Sequence, residues 1–440
     1  MTLAYTLDTS TDLEDRVIRY ARNNRAQNVS FRKLVHWLKV GERATHYLHP
    51  YPAKLLPQIA HYFLAAKSLT PPRGVVLDPF GGTGTVALEA LLSGRQAYYA
   101  DVNPLARMIA RVKTRPPAES SAKASLARVR KRYNERLLKA PPPDVVNIRH
   151  WYASSTIKNL SDLLACVRQE RNEVVRSLLE LTFSSVARRL SNADPRLSVP
   201  VRLGEDVVSH TRRDVWNAFE SQLLANIKRI SELERIRPAS YKHAICAGSD
   251  ARKLTSDGRR RLRKNSIDLV LTSPPYSGAQ KYIRASSLNL GWLGLAASTQ
   301  LKDLDKVSIG REHHPRSSLQ VMPVTGIAAA DRVIKRVWKI DRTRAVICAV
   351  YLEEMRDAIT EVARVLKAGG HFVLVIGNNE VCGINFKSSE YLAEICHNAG
   401  LKIKLRLVDE IKSRGLMTKR NKSAGVISRE WVLLFEKTEL

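Results

Sequence analysis

Cysteine, long apolar runs and negative charge are all scarce in this chain. The five cysteines, Cys166, Cys246, Cys348, Cys382 and Cys396, are scattered, and no CxxC pair occurs. That argues against a zinc ribbon or a redox pair, and an odd, dispersed set fits a reducing compartment. The longest clean apolar runs, such as FVLVI at 372–376, are far too short to span a bilayer. The opening stretch MTLAYTLDTSTDLEDR lacks the basic-then-apolar order of a signal peptide. A soluble, cytoplasmic protein is expected. Acidic residues number 42 against 72 Lys plus Arg, a formal net charge of +30. Such an excess points to a polyanionic partner, most simply nucleic acid. No single basic amphipathic helix dominates, so a membrane-surface role is the weaker explanation.

What is present is ordinary in bulk and informative in detail. Hydrophobic residues make up 44% of 440 residues, enough for two domains or for one domain with a large insertion. Residues 1–44 read as a mostly helical lead-in, with FRKLVHWLKV as one amphipathic piece. Pro57 suits a first helical turn, and Ile59, Ala60 and Phe63 give that helix one apolar face. GVVLDPFGGTGTVALEALLSG then reads as strand, glycine turn and helix. QAYYADVNP is a second strand ending at Asp101, and VNPLARMIARVK is a helix. This is the βαβ rhythm of a parallel sheet.

The rhythm stops at the proline-rich joints RPPAES and APPPD. Residues 116–240 show helical patterns and no strand pattern. A basic helix carries Arg128, Arg130, Lys131 and Arg132, and further helices are expected near 172–190 and 213–236. In the last of these Val215, Phe219, Leu223, Ile227 and Ile230 share a face. The segment therefore reads as a helical insertion into an α/β domain made of residues 45–115 and 241–440. The sheet resumes with KHAICAGSDARKL and SIDLVLTSPPY. AITEVARVLKAGGHFVLVIGN reads as helix, glycine turn and strand, and LKIKLRLVDEI and REWVLLFEK as a terminal strand pair. Residues 296–345 yield no firm assignment.

The glycine turn carries chemistry. Asp78 ends a strand, Pro79 and Phe80 follow, and Gly81, Gly82, Thr83 and Gly84 lead into a helix. Glycines let a backbone turn tightly and approach a ligand closely. Asp101 ends the next strand, where an acid can accept hydrogen bonds from ribose hydroxyls. The spacing is not G-x-G-x-x-G, and no Gly-Lys-Ser/Thr is present to hold nucleotide phosphates. A carboxylate at Asp78 repels a pyrophosphate and suits a cationic ligand. S-adenosylmethionine, with an ammonium, a sulfonium and no phosphate, meets these requirements. A plain structural turn is the simpler reading, and the pairing of Asp78 with Asp101 weighs against it.

The order of motifs resembles that of the amino-methylating DNA methyltransferases, in particular the cytosine-N4 type with a Ser-Pro-Pro-Tyr motif. DPFGGTG resembles that family's cofactor loop. HPYPAKL resembles the segment preceding it, which implies that Tyr51, Pro52, Ala53 and Lys54 pack against the methionine part of the cofactor. GSDARKL resembles the acidic motif near the adenine, which implies a contact from Asp250 and Ala251. TSPPY resembles the catalytic motif, with Ser273, Pro274, Pro275 and Tyr276. The resemblance implies a class I S-adenosylmethionine-dependent fold, Rossmann-like with a mixed seven-stranded sheet. It also implies double-stranded DNA as partner, S-adenosylmethionine as cofactor and no metal. A companion restriction endonuclease acting on the same site and association with the nucleoid go with it. In the family's common arrangements the recognition domain sits elsewhere, so the position of the insertion before GSDARKL leaves open which segment reads sequence.

The chemistry of the motif agrees with the resemblance. The lone pair of an exocyclic base amine is delocalised into its ring. Acceptors that engage the N–H groups localise that pair, and Ser273 Oγ with the Pro274 carbonyl are two acceptors on a rigid turn. Tyr276 offers a ring on which a flipped base can stack. No Pro-Cys nucleophile occurs, as a methylase of ring carbons requires. An adenine-N6 enzyme, an RNA base N-methyltransferase and a catalytically idle nucleic-acid-binding fold are the alternatives. For phosphate contact the candidates are the α-helical Arg128 group, Arg259, Arg260 and Arg261 before the catalytic strand, and Lys419 and Arg420 in the terminal loop. Tyr282 and Arg284 follow the motif closely enough to meet a flipped nucleotide. His49 and His61 lack metal-ligand spacing and read as packing or surface residues; Trp292 and Leu293 read as core.

Overall fold

A computed structural model describes residues 7–39, 43–52, 54–136, 138, 140–256, 259–278, 282–410 and 429–438. Ala53, Lys419 and Arg420 lie outside these residues. The strands are β1 (Gln27–Val29), β2 (Val75–Asp78), β3 (Gln96–Tyr99), β4 (Ile245–Cys246), β5 (Ile267–Thr272), β6 (Leu366–Gly377), β7 (Asn379–Val381), β8 (Ile384–Phe386), β9 (Leu401–Glu410) and β10 (Arg429–Lys437). Eight of them form one sheet in the order β1-β9-β10-β6-β5-β2-β3-β4, while β7 and β8 form a separate hairpin. Only β10 runs antiparallel to its sheet neighbours, β6 and β9.

From β2 the chain steps outward through β3 to β4, then crosses back to β5 and steps the other way to β6. The direction of winding therefore reverses between β2 and β5. This is the order of the class I methyltransferase fold expected from the sequence, with the short β1 added as an eighth strand at the edge. In open α/β sheets of this kind ligands bind beyond the carboxyl ends of the strands at the reversal point. Asp78 and Thr272 end the two strands that flank it.

Alternation along the central strands fills two layers. Val76, Leu269, Leu271, Val373 and Val375 are buried with α1 (Ser10–Asn23), α3 (Pro57–Ala65) and α4 (Thr85–Leu92). α2 (Phe31–Leu34) packs beside α3. Leu77, Val270, Phe372, Leu374 and Ile376 are buried on the other face.

The insertion is helical, with α6 (Glu119–Asn134), α7 (Ile148–Trp151), α8 (Ser154–Arg168), α9 (Glu173–Arg189) and α10 (Arg212–Ile236). Val215, Phe219, Leu223, Ile227 and Ile230 of α10 are all buried. Their core also takes Ile109 and Val112 from α5 (Pro104–Thr114), as well as side chains from the helix pair α11 (Tyr282–Ala285) and α12 (Ser287–Leu293). Trp292 meets Tyr152 and Phe183 edge-on at ring-centre distances of 5.5 and 5.6 Å. The insertion thus shares one core with the helices that follow Asp101 and the Ser-Pro-Pro-Tyr turn.

At three places the structure adds to or departs from the sequence expectations. The lead-in is not wholly helical: β1 pairs with β9, far away in sequence. The stretch 296–345 contains α13 (Leu301–Lys306), α14 (Ala328–Trp338) and the start of α15 (Arg342–Val365). Ala330, Ile334 and Val337 are buried on one face of α14, a helical spacing that was readable. Finally, the glycines of LKAGGHF lie inside β6 rather than before it. The pairing of β5 with β6 slips there, and Gly369 has a φ of +69°, so they form a bulge. α16 (Ser388–Asn398) completes the layer on β6 and β9. Among the described residues no helix is long and apolar enough to cross a membrane.

Candidate active site at the sheet reversal point

The carboxyl ends of β2, β3 and β5 bring Asp78, Asp101 and the Ser-Pro-Pro-Tyr turn together. Thr272 Oγ1 donates to Asp78 Oδ1 at 2.5 Å, and the Phe80 N–H donates to the same oxygen at 3.1 Å. The glycine turn and the Ser-Pro-Pro-Tyr turn are therefore joined by a buried hydrogen bond between adjacent strands. Burial pushes the Asp78 carboxyl up to about 7, although Thr272 and the Phe80 N–H oppose that rise.

Asp101 ties the turn from the other side. Its two oxygens accept from the Gly82 N–H at 2.9 Å and the Asn103 N–H at 2.8 Å. Burial raises its pKa above the ordinary carboxylate value, against the pull of both N–H groups. Gly81 cannot carry a side chain, because a Cβ there meets the Tyr99 Cβ at 2.9 Å. Gly84 has a φ of +73°, and a Cβ on it meets the Ala110 Cβ at 2.8 Å. At Gly82, by contrast, a Cβ would have as its only neighbour the Phe80 carbonyl oxygen at 4.0 Å, though its φ of +49° favours glycine. The turn is clamped on its protein side and bare on the side where a ligand approaches. Thr83 is buried, and its hydroxyl receives the Lys113 ammonium at 3.2 Å. Pro79 is buried and Phe80 packs on the sheet core.

The buried Asp78 and the half-buried Asp101, with no cationic side chain hydrogen-bonded to either carboxylate among the described residues, are costly to ionise. A ligand bearing positive charge and hydroxyls removes that cost. These acceptors thus fit an ammonium and ribose hydroxyls, and their charge suits a sulfonium; S-adenosylmethionine has all three.

Asn103 is a site residue that the sequence reading passed over. Its Oδ1 caps α5 by accepting from the Leu105 N–H at 3.0 Å. Its Nδ2 donates to Tyr51 Oη at 3.1 Å and to Ser286 Oγ at 2.8 Å. One buried amide joins the HPYPAKL segment, the strand-end loop of Asp101 and the helix after the catalytic motif. An Asn before Pro is a local helix-cap signal, but partners lying 52 and 183 residues away are invisible in the sequence. Tyr51 and Pro52 are half-buried. Burial, with Asp101 and Tyr282 nearby, keeps the Tyr51 phenol protonated. Lys54 donates to the His49 carbonyl at 2.8 Å.

Asp250 is engaged from within the protein. Arg252 forks onto it, with Nε to Oδ1 at 2.8 Å and Nη2 to Oδ2 at 3.0 Å, and reaches Glu354 with Nη1 at 3.0 Å. Ala251 is buried in the sheet core.

In the catalytic motif Pro274 is buried, while Ser273, Pro275 and Tyr276 are half-buried. Tyr276 Oη donates to Glu430 Oε1 on β10 at 3.0 Å. Burial, then the negative charge of Glu430, raises the phenol pKa well above normal. Burial likewise raises that of Glu430. This bond fixes the ring by its hydroxyl, and the sequence reading did not find it. Gly310 is needed nearby: its φ is +80°, and a Cβ would sit 3.2 Å from the Tyr276 carbonyl oxygen. Asn379 Nδ2 donates to the Ser277 carbonyl at 3.1 Å and closes the turn. Tyr282 adds to the raised pKa of both Tyr51 and Tyr276, so the three hydroxyls are electrostatic neighbours.

The basic residues separate into groups. On α6, Arg128 pairs with Glu170 at 2.7 Å, Arg130 with Glu220 at 3.8 Å and Lys131 with Glu135 at 4.0 Å. Arg132 reaches the Cys166 carbonyl at 3.5 Å. Arg261 bonds Glu361 at 2.9 Å, and Arg259 and Arg260 are in the loop before β5. Arg284 is exposed on α11. His49 and His61 are buried, on Ser184 and Glu89 respectively, and Trp292 and Leu293 are core.

No family model matches the chain. It is 25% identical over 370 residues to the Type II methyltransferase M.MvaI of Kocuria varians, covering 80% of each protein. A shorter segment of 68 residues, 16% of this chain and 12% of the other, is 35% identical to the Type II methyltransferase M.MjaII of Methanocaldococcus jannaschii. Among solved structures, an S-adenosylmethionine-dependent methyltransferase of Methanosarcina mazei aligns over 88% of this chain and 100% of its own, at 10% identity and a TM-score of 0.31. A score that low adds nothing to the strand order described above. In sequence the chain is thus similar to proteins named Type II methyltransferases.

Proposed function

We propose that the protein transfers a methyl group from S-adenosylmethionine to the exocyclic N4 amine of cytosine in double-stranded DNA. One observation carries the reading: a Ser-Pro-Pro-Tyr turn leaves β5 at the reversal point and is hydrogen-bonded, through Thr272, to the acid of a glycine turn. The cofactor supplies an electrophilic methyl on a sulfonium. Asp78 and the bare face of Gly82 meet its cationic part, Asp101 takes the ribose hydroxyls, and Asp250 and Ala251 border the adenine. Tyr51, Pro52 and Lys54 close the methionine end.

The chain's own residues prepare the nucleophile. The target base is turned out of the duplex and stacked on Tyr276, whose ring Glu430 holds in place. Ser273 Oγ and the Pro274 carbonyl accept from the base amine and localise its lone pair. Their turn is stiff, so no reorganisation is needed during the reaction. Proximity then supplies much of the rate. A serine before Pro-Pro, where adenine-directed relatives usually carry Asp or Asn, favours cytosine over adenine.

The test is mass spectrometry of nucleosides from unmodified plasmid DNA incubated with the protein and S-adenosylmethionine. N4-methylcytosine is expected, and N6-methyladenine in its place refutes the base assignment. Ser273→Ala should slow transfer by about a hundredfold or more while cofactor affinity stays near that of the wild type.

A further inference from the structure

An open cleft of about 790 Å³ lies beside α11 and is lined by residues 147–151 and 200–202 together with Arg284. Three of these side chains are guanidinium groups and none is a carboxylate. On α6, by contrast, Arg128, Arg130 and Lys131 each pair with an acid. Arg149 and Arg284 are exposed and have no ion pair among the described residues. Arg202 donates to the Glu205 carbonyl, but its Nε is buried with no hydrogen-bond partner. Trp151 forms an aromatic wall with His150 set edge-on at 4.6 Å, and Val201, 47% exposed, makes an apolar lip.

Through Arg284 the cleft borders α11, the helix that follows the Ser-Pro-Pro-Tyr turn. Arg284 sits on α11, the same short helix as Tyr282, whose hydroxyl neighbours those of Tyr51 and Tyr276. The opposite wall, α7 and residues 200–202, belongs to the insertion. Positive charge on both walls, with no acid between them, suits a phosphate chain passing between insertion and catalytic domain. Planar guanidinium forks match phosphate oxygens well.

We propose that this cleft, and not the basic face of α6, holds the DNA backbone next to the target base. Arg149, Arg202 and Arg284 contact phosphates, and Trp151 packs on the sugar-phosphate strand. The inference rests on the DNA reading above and adds to it the surface that positions the duplex.

The probe is a fluorescein-labelled random-sequence duplex, with binding followed by anisotropy across a salt series. Each phosphate contact removed should flatten the log–log salt slope by about one. The double variant Arg149→Ala/Arg284→Ala should therefore lose about two in slope and bind more weakly at low salt. Arg128→Ala/Arg130→Ala should leave the slope near the wild-type value. Unchanged S-adenosylmethionine affinity shows that each variant is folded. If the wild type binds and methylates the duplex but the cleft variant keeps the full slope, the cleft is overturned and the DNA reading stands. If the wild type methylates RNA and leaves the duplex unbound and unmodified, the DNA reading fails and takes the cleft with it.

Discussion

Asp78 and Glu89 belong to one strand-turn-helix unit, and both are buried, yet their electrostatic situations are opposite. Glu89 is surrounded by cationic and imidazole groups: Arg43 forks onto it at 2.7 and 2.9 Å, His46 lies at 2.8 Å and His61 at 3.2 Å. Burial alone raises a carboxylate pKa, but here Arg43 and the two imidazoles outweigh it and hold Glu89 well below normal. Asp78 has a hydroxyl and one N–H, and its pKa rises to about 7. The protein neutralises the acid it uses as a strut. It leaves uncompensated the acid at the sheet reversal point, where charge can be supplied by a ligand. A buried acid lacking a cation is thus a better marker of the site than burial or acidity alone.

The comparison can be broken first at Glu89. Glu89→Ala leaves Arg43 buried without its partner, and should destabilise the fold by about 3–5 kcal/mol, measured by denaturant unfolding. If stability holds, Glu89 is no strut. A pH series sharpens the other side. The raised pKa of Asp78 favours its protonated form in the folded state. Its contribution to stability is therefore fully present below the unfolded value of 3.8 and lost as pH rises through about 7. A cationic ligand requires the ionised form, so its affinity should run the opposite way, rising as pH passes upward through about 7 by up to about tenfold per unit. Asp78→Asn should remove both trends, and a pH-independent affinity in the wild type separates Asp78 from the ligand. The smallest effect is expected at Tyr276→Phe. It deletes the bond to Glu430, worth about 1.5–3 kcal/mol to a charged partner and less to a protonated one. The result should be a severalfold slower methyl transfer with cofactor affinity untouched. An unchanged rate means the ring needs no anchor.

The parts that were legible in the sequence are those set by local pattern. The β2-turn-α4 unit, Asp101 at the end of β3, the turn after β5 and the buried stripe of α10 each depend on residues adjacent in the chain. What could not be read depends on partners far apart. β1 has too few residues to announce a strand and exists because β9 offers an edge. Asn103 joins three segments, and Glu430 reaches Tyr276 across 154 residues. The ion pairs of α6 are of the same kind: Glu170, between α8 and α9, and Glu220, on α10, meet its cations only in the folded protein. Arg149 and Arg202 drew no notice, since neither belongs to a run of charge.

Calorimetric titration of S-adenosylmethionine into the wild type and Asp101→Ala tests the central claim, that the acids at the ends of β2 and β3 form the cofactor site. Asp101 accepts from Gly82 and Asn103 and is proposed to take the ribose hydroxyls, so its loss should weaken binding by about ten- to a hundredfold, or roughly 1.5–3 kcal/mol. Equal affinity in the two proteins contradicts the assignment.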